Sequence, residues 1–195
     1  FGEEPEFKRE YWDNGKLKSE IHIKNGKAEG LGTEWYDSGI KKREVHYKNG
    51  NPEGPVALWY PSGKKKNKAY IKNGKTEGLA TEWYESGGKK MESLFKNGKP
   101  EGLGTEWYES GEKAIEVPSK NGKLEGLVTS WYKNGKKRYL KRYKDGLKDG
   151  MFKNWYLSGG KKSTSHYKNG IENGFRKEWD ENGKLIFQGN FVDGN

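Results

Sequence analysis

The chain contains no cysteine, which excludes disulfides, thiolate catalysis and Cys-based metal sites. Hydrophobic residues make up only 30% of its 195 residues and charged residues 34%, too polar a balance to fill the thick core of a packed enzyme domain. Long apolar runs are missing as well. The longest, residues 55–61, has about a third of the length a membrane-spanning helix needs. The chain opens on Phe1 rather than Met. Together with the lack of cysteine this leans toward an exported or cell-surface protein whose signal has been removed, although the compartment itself stays open.

So polar a composition often marks disorder. Against that stand 27 aromatic residues held in strict register. An Asn-Gly or Asp-Gly turn recurs every 24 residues from Gly26 to Gly194, and Trp35, Trp59, Trp83, Trp107, Trp131, Trp155 and Trp179 keep the same step, with Tyr11-Trp12 as an inverted first copy. No insertion breaks the count. A fixed period of this size means one supersecondary unit stacked many times, with the apolar content spread along a quasi-one-dimensional array.

Within one unit, Leu79, Thr81 and Trp83 alternate with Ala80, Glu82 and Tyr84, the period of two that marks a strand. Glu85-Ser86-Gly87 supplies a turn, and a return strand runs to Phe95. Asn97-Gly98 then closes it, a pair suited to a type I′ turn. Each repeat is therefore two antiparallel strands, and the short connections predict an all-β, elongated, twisted meander of about eight 24-residue hairpins. Residues 1–10 are read as an N-terminal cap or tail and residues 11–195 as a single array. Alternation sends the Trp and Tyr ladders to opposite faces. The return-strand slot of Ile23, Tyr47, Ile71, Phe95, Tyr143, Tyr167 and Phe191 is expected beside the Trp ladder. Val117-Pro118-Ser119 in the fifth return strand predicts a bulge or local opening, because proline lacks a ladder donor. A four-bladed propeller with two repeats per blade is arithmetically possible, but blades carry a longer period with inequivalent halves, whereas here the halves are alike.

The unit Glu-Trp-Tyr-(Glu/Asp)-Ser-Gly, then Lys-Lys, then Tyr-Lys-Asn-Gly-Lys and Glu-Gly, resembles the MORN repeat variant, a family of β-hairpin rows. The resemblance covers Tyr11 to Gly194 and names no catalytic residues. It implies scaffolding, protein binding or contact with anionic lipid, and some bacterial members are proposed antitoxins. Cell-wall choline-binding repeats share Trp, Tyr and Gly but have a shorter, less lysine-rich unit, and give the distant alternative of a cell-wall ligand.

No residue set calls for catalysis, a cofactor or a metal. His22, His46 and His166 occupy one slot of the repeat, so the nearest pair lies about 10 Å apart across two strands, too far to share an ion. Glu29, Glu53, Glu77, Glu101 and Glu125, and Glu34, Glu82, Glu106 and Glu178, repeat identically, whereas an acid–base pair needs a unique environment. They are read as turn and cross-strand partners of the lysines.

Two features point to binding. The Tyr ladder, with Tyr84, Tyr108 and Tyr132 at its centre, leaves aromatics that a single-layer sheet does not wholly bury. The charge distribution breaks the repeat: residues 133–168, which open on Lys133 and close on Lys168, hold 12 Lys or Arg against 2 acids, which accounts for the whole net charge of +10. Alternation places Arg138, Arg142 and Lys144 on one face, with Lys162, His166 and Lys168 on the same face two strands away, as a stripe suited to an acidic partner or to phosphates. The sequence thus predicts a non-enzymatic repeat protein that binds another protein, antitoxin-like or acting at a surface. The alternative is a binder of anionic lipid or nucleic acid through the basic stripe.

Overall fold

The computed structural model describes residues 6–195, in which every regular element is a β-strand. The expected cap over residues 1–10 falls partly outside the described residues; from Glu6 the chain is a strand, Glu6–Tyr11, paired antiparallel with Leu17–Lys24. The described chain divides into two compact units at Lys99 and Pro100, and each is an antiparallel meander of consecutive hairpins.

One hairpin shows how the unit is built. Lys27–Trp35 pairs with Lys41–Lys48 so that Leu31 faces His46, Gly32 faces Val45 and Thr33 faces Glu44. The ladder shifts by one residue between Glu34 and Trp35, leaving Lys42 as the extra residue of a bulge. Lys66, Lys90, Arg138 and Lys162 take that place in other repeats. The Asn-Gly turns have both central residues at positive φ, as in Asn73 at 50° and Gly74 at 71°, which is the type I′ geometry whose twist matches the flanking strands.

Successive repeats interlock along both ends of the strands. At one end the Tyr36 hydroxyl donates to the carbonyl of Trp59 at 2.8 Å, and Tyr60, Tyr108, Tyr132 and Tyr156 repeat that bond to the Trp of the next unit. The inverted first copy follows the same rule, for Trp12 stands in the Tyr slot and its indole Nε1 donates to the carbonyl of Trp35. At the other end, Glu29, Glu53, Glu77, Glu101 and Glu125 accept from the backbone N–H that opens the next Asn-Gly or Asp-Gly turn, at 2.7–2.8 Å. These glutamates therefore serve the backbone rather than the lysines. Each precedes a glycine at positive φ, from Gly30 to Gly126. Glu34 and Glu82 do pair with cations, Arg43 and Lys90.

The return-strand aromatics lie opposite to the expected face. Tyr47 faces Gly30 and Pro52 in the ladder, and a Cβ built on Gly32 would meet its ring at 2.9 Å. It shares a face with Gly32 and Val45, away from Leu31, Thr33 and Trp35. Register decides this, because an offset of one residue moves a side chain through the sheet. That second face carries the thin core, where Val45, Ala80, Val128 and Phe152 are buried. Tyr143, Phe152 and Tyr167 stack along it with centroids 5.5 and 4.7 Å apart.

Pro118 stays within the strand Lys113–Lys120, opposite Leu103. Its carbonyl accepts from the N–H of Glu125, as that of Tyr70 does from Glu77 and that of His166 from Asn173. The ladder is interrupted at residues 77, 125 and 173, while the strands through residues 29, 53, 101 and 149 are continuous, so the opening beside Pro118 recurs in two repeats that have no proline there.

Candidate interaction surface

The Trp face presents what the core face hides. In the strand slot directly after the Glu-Gly glycine, Leu31 and Leu79 of the first unit are 43% and 55% exposed. In the second unit Leu103, Leu127, Met151 and Phe175 occupy the same slot and are also exposed. Between successive members lies the residue that faces each of them across the hairpin. In the first unit His46 lies opposite Leu31, Tyr70 opposite Pro55 and Leu94 opposite Leu79, with Tyr70 and Leu94 exposed. In the second unit it holds Arg142 opposite Leu127 and His166 opposite Met151. These side chains can lie there because the glycine beside them has no Cβ: one built at Gly174 would stand 3.2 Å from His166, and at Gly54 3.1 Å from His46. Both glycines have φ near 115°, a conformation that also disfavours any other residue.

Four of the proposed basic residues thus share this face. Arg142 and His166 stand within the apolar row, while Lys144 and Lys168 lie two places further along the same strands, next to the turns. Arg138 and Lys162 do not join them. The bulge takes both out of the alternation, and the structure sets the Arg138 guanidinium over the rings of Tyr132 and Tyr139 and the Lys162 ammonium over that of Tyr156.

The tyrosines of the ladder have structural duties. The hydroxyls of Tyr108 and Tyr132 are committed to Trp131 and Trp155, and the Lys90 ammonium lies over the ring of Tyr84. Tyr84, Tyr108 and Tyr132 are half-buried, and the apolar row is more exposed than they are. The signal was present in the sequence as a Leu, Pro, Met or Phe after every Glu-Gly or equivalent pair, but an apolar residue on a strand reads as core until the sheet is known to have nothing above it.

The Trp face also has a hollow of about 280 Å³ beside Met151, Lys153, Trp155, Lys161, Thr164 and His166. In earlier repeats Lys41, Lys89 and Lys113 are neutralised there by Glu44, Glu92 and Glu116. Thr164 replaces that glutamate, so Lys161 has no carboxylate within ion-pair distance among the described residues and lies over the ring of Trp179. Among the described residues, no group of three His, Asp or Glu side chains is placed to hold a metal ion.

Hairpins of this composition, locked tyrosine to tryptophan and glutamate to turn, identify the repeat. The profile of the MORN repeat variant matches residues 8–25, 28–49, 76–97, 100–121, 124–145, 148–169 and 172–193. The chain belongs to the MORN repeat variant family. Residues 52–73 lie outside the matched segments, yet they form the same hairpin, Asn51–Trp59 with Lys65–Lys72, in the same register. A search of curated proteins finds no match to the chain. MORN repeats are in general interaction modules of a non-catalytic type.

Proposed function

We propose that this MORN protein is non-enzymatic and works by binding another protein through the Trp face, in the manner of an antitoxin, an immunity protein or a surface-interaction module. The observation that carries this reading is the row of exposed apolar side chains in one slot of each unit, Leu31 and Leu79 in the first and Leu103, Leu127, Met151 and Phe175 in the second. Exposed apolar residues aligned rather than scattered mark a contact surface. Arg142 and His166 interleave with the row in the second unit, which favours a partner whose contacting surface is acidic.

The second reading, a binder of anionic lipid or nucleic acid, is supported by the charge confined to residues 133–168 and by the unneutralised Lys161. The two readings separate experimentally. Leu79→Ser, Leu127→Ser and Phe175→Ser together remove apolar contacts and leave every charge in place. Protein recognition predicts loss of partner capture from the source cell with retention on heparin unchanged, whereas polyanion binding predicts unchanged behaviour of this variant and a steep fall of retention with salt.

A further inference from the structure

In a repeat protein the fold is set by what recurs, so a position where the chain departs from its own pattern at a cost to folding points to function. Lys141 is such a position. The equivalent slot holds Ile21, Val45, Ala69, Ser93, Val117, Ser165 and Gly189, uncharged residues suited to the thin core, and only here does it hold a charge. Lys148 stands where other repeats have Ala28, Pro52, Thr76, Pro100, Leu124 and Glu172, and is the one cation of that slot. Phe152 is also a departure, in a slot that holds Gly32, Val56, Ala80, Gly104, Val128 and Arg176 elsewhere, and Tyr139 has an aromatic counterpart only in Phe187.

These residues meet. In the ladder Lys141 faces Phe152, Tyr143 faces Lys148 and Gly150 faces Tyr167, all on the core face of the second unit. The Lys141 ammonium lies 4.3 Å from the centroid of Tyr139 and 6.0 Å from that of Phe152. The Lys148 ammonium lies 4.6 Å from the centroid of Tyr167 and 5.8 Å from that of Phe152. The Arg138 guanidinium shares Tyr139 with Lys141. No carboxylate is within ion-pair distance of the three cations among the described residues. Glu172, opposite Tyr167 in the adjoining ladder, has one carboxylate oxygen 3.6 Å from Arg176 and the other buried without a hydrogen-bond partner, and Asp149, next to Lys148 in the strand, forms no ion pair with these cations. Burial, then repulsion from Lys148 and Arg138, holds the Lys141 ammonium below the ordinary lysine range, as expected of a positive site that lacks its counter-charge.

We infer that Arg138, Lys141 and Lys148, set on the Tyr139, Phe152 and Tyr167 rings, form an oxyanion site that receives carboxylates from an acidic segment of the protein partner. This rests on the protein-binding reading and adds a second contact, on the face opposite the apolar row. The ring faces argue against nucleobases. Lys141 and Lys148 cap Tyr139 and Tyr167, Phe152 is buried and Tyr143 packs against it, so these rings are engaged by the cations and by one another rather than offered as a stacking platform for a base. What faces the ligand is ammonium and guanidinium N–H, which recognise oxyanions.

The test uses the intact chain and fluorescein-labelled poly-L-glutamate. Lys141→Ser with Lys148→Thr installs residues that the same slots carry in other repeats, so the hairpins are kept. Lys120→Ser with Lys184→Ser removes the same charge elsewhere in the second unit. The site predicts that the first variant weakens binding on the order of tenfold or more, and that the second changes it less than about threefold, as for exposed lysines. Equal losses would show only the general field of the basic stretch and overturn the site. Tighter retention of an oligo(dT) probe with the same dependence on Lys141 and Lys148 would overturn its assignment to an acidic polypeptide. A second measurement needs no variant: acetylation of Lys141 in the native protein, followed by mass spectrometry, is slowed by poly-L-glutamate if the site is correct and is unchanged if it is not. None of these substitutions touches the apolar row, so failure of the oxyanion site leaves partner capture through that row to be judged on its own.

Discussion

The hydroxyl of Tyr60 donates to the main-chain carbonyl of Trp83, 23 residues further on, at 2.8 Å. Its ring is also covered by the Lys66 ammonium, so one side chain closes its own turn and ties the hairpin to the next. In a structure whose core is a single row on one face, such bonds between repeats supply cooperativity that burial alone does not.

Replacing Tyr60 by Phe removes the hydroxyl and leaves the ring. The expected loss is about 1 kcal/mol, the net value of one hydrogen bond together with the now partnerless Trp83 carbonyl. Urea denaturation reads it as a lower midpoint at unchanged slope. Trp12→Tyr, which restores the usual residue of the slot and a donor toward the Trp35 carbonyl, is expected to fold with little change, whereas Trp12→Phe weakens the first hairpin.

Glu53 holds the N–H of Asn73 at 2.7 Å. Glu53→Ala takes a charge-assisted partner from a type I′ turn, for an expected cost of about 1–2 kcal/mol. Hydrogen exchange localises it: the Asn73 amide should exchange faster while amides at Asn25 are unaffected. Uniform acceleration along the first unit would mean that the bond is part of a larger cooperative opening.

The strands, their hairpin order and the type I′ turns were legible because Asn-Gly pairs and period-two alternation are local signals. The purpose of Glu53 was not, since its partner lies 20 residues away and becomes visible only when repeats are stacked. The face of Tyr47 was misread for the same kind of reason: it depends on which residue the turn at Tyr36 sets opposite it, and no local pattern encodes that parity. The basic stripe was legible as charge but not as geometry. One bulge separates Arg138 and Lys162 from Arg142 and His166, and Lys141, one of twelve cations in the stretch, differs from the others only by what its slot holds elsewhere.

Lys141 gives a pH prediction. Its folded-state pKa is depressed, chiefly by burial, so the folded chain carries a charge that the unfolded chain carries at less cost. That penalty is fully present at neutral pH and fades as pH rises from the folded value toward the ordinary lysine value of about 10.4. Lys141→Ser is therefore expected to be more stable than the parent at neutral pH, with the difference shrinking as the pH approaches 10. A difference that stays constant with pH would assign the effect to packing.

The most direct test of the account is hydroxyl-radical footprinting of the protein alone and with its captured protein partner. The account predicts protection of Leu79 in the first unit and of Leu127, Met151 and Phe175 in the second, with Tyr60 and Tyr132, already locked to their neighbouring tryptophans, unchanged. Protection confined to the tyrosine ladder, with the apolar row as reactive in the complex as in the free protein, would contradict it.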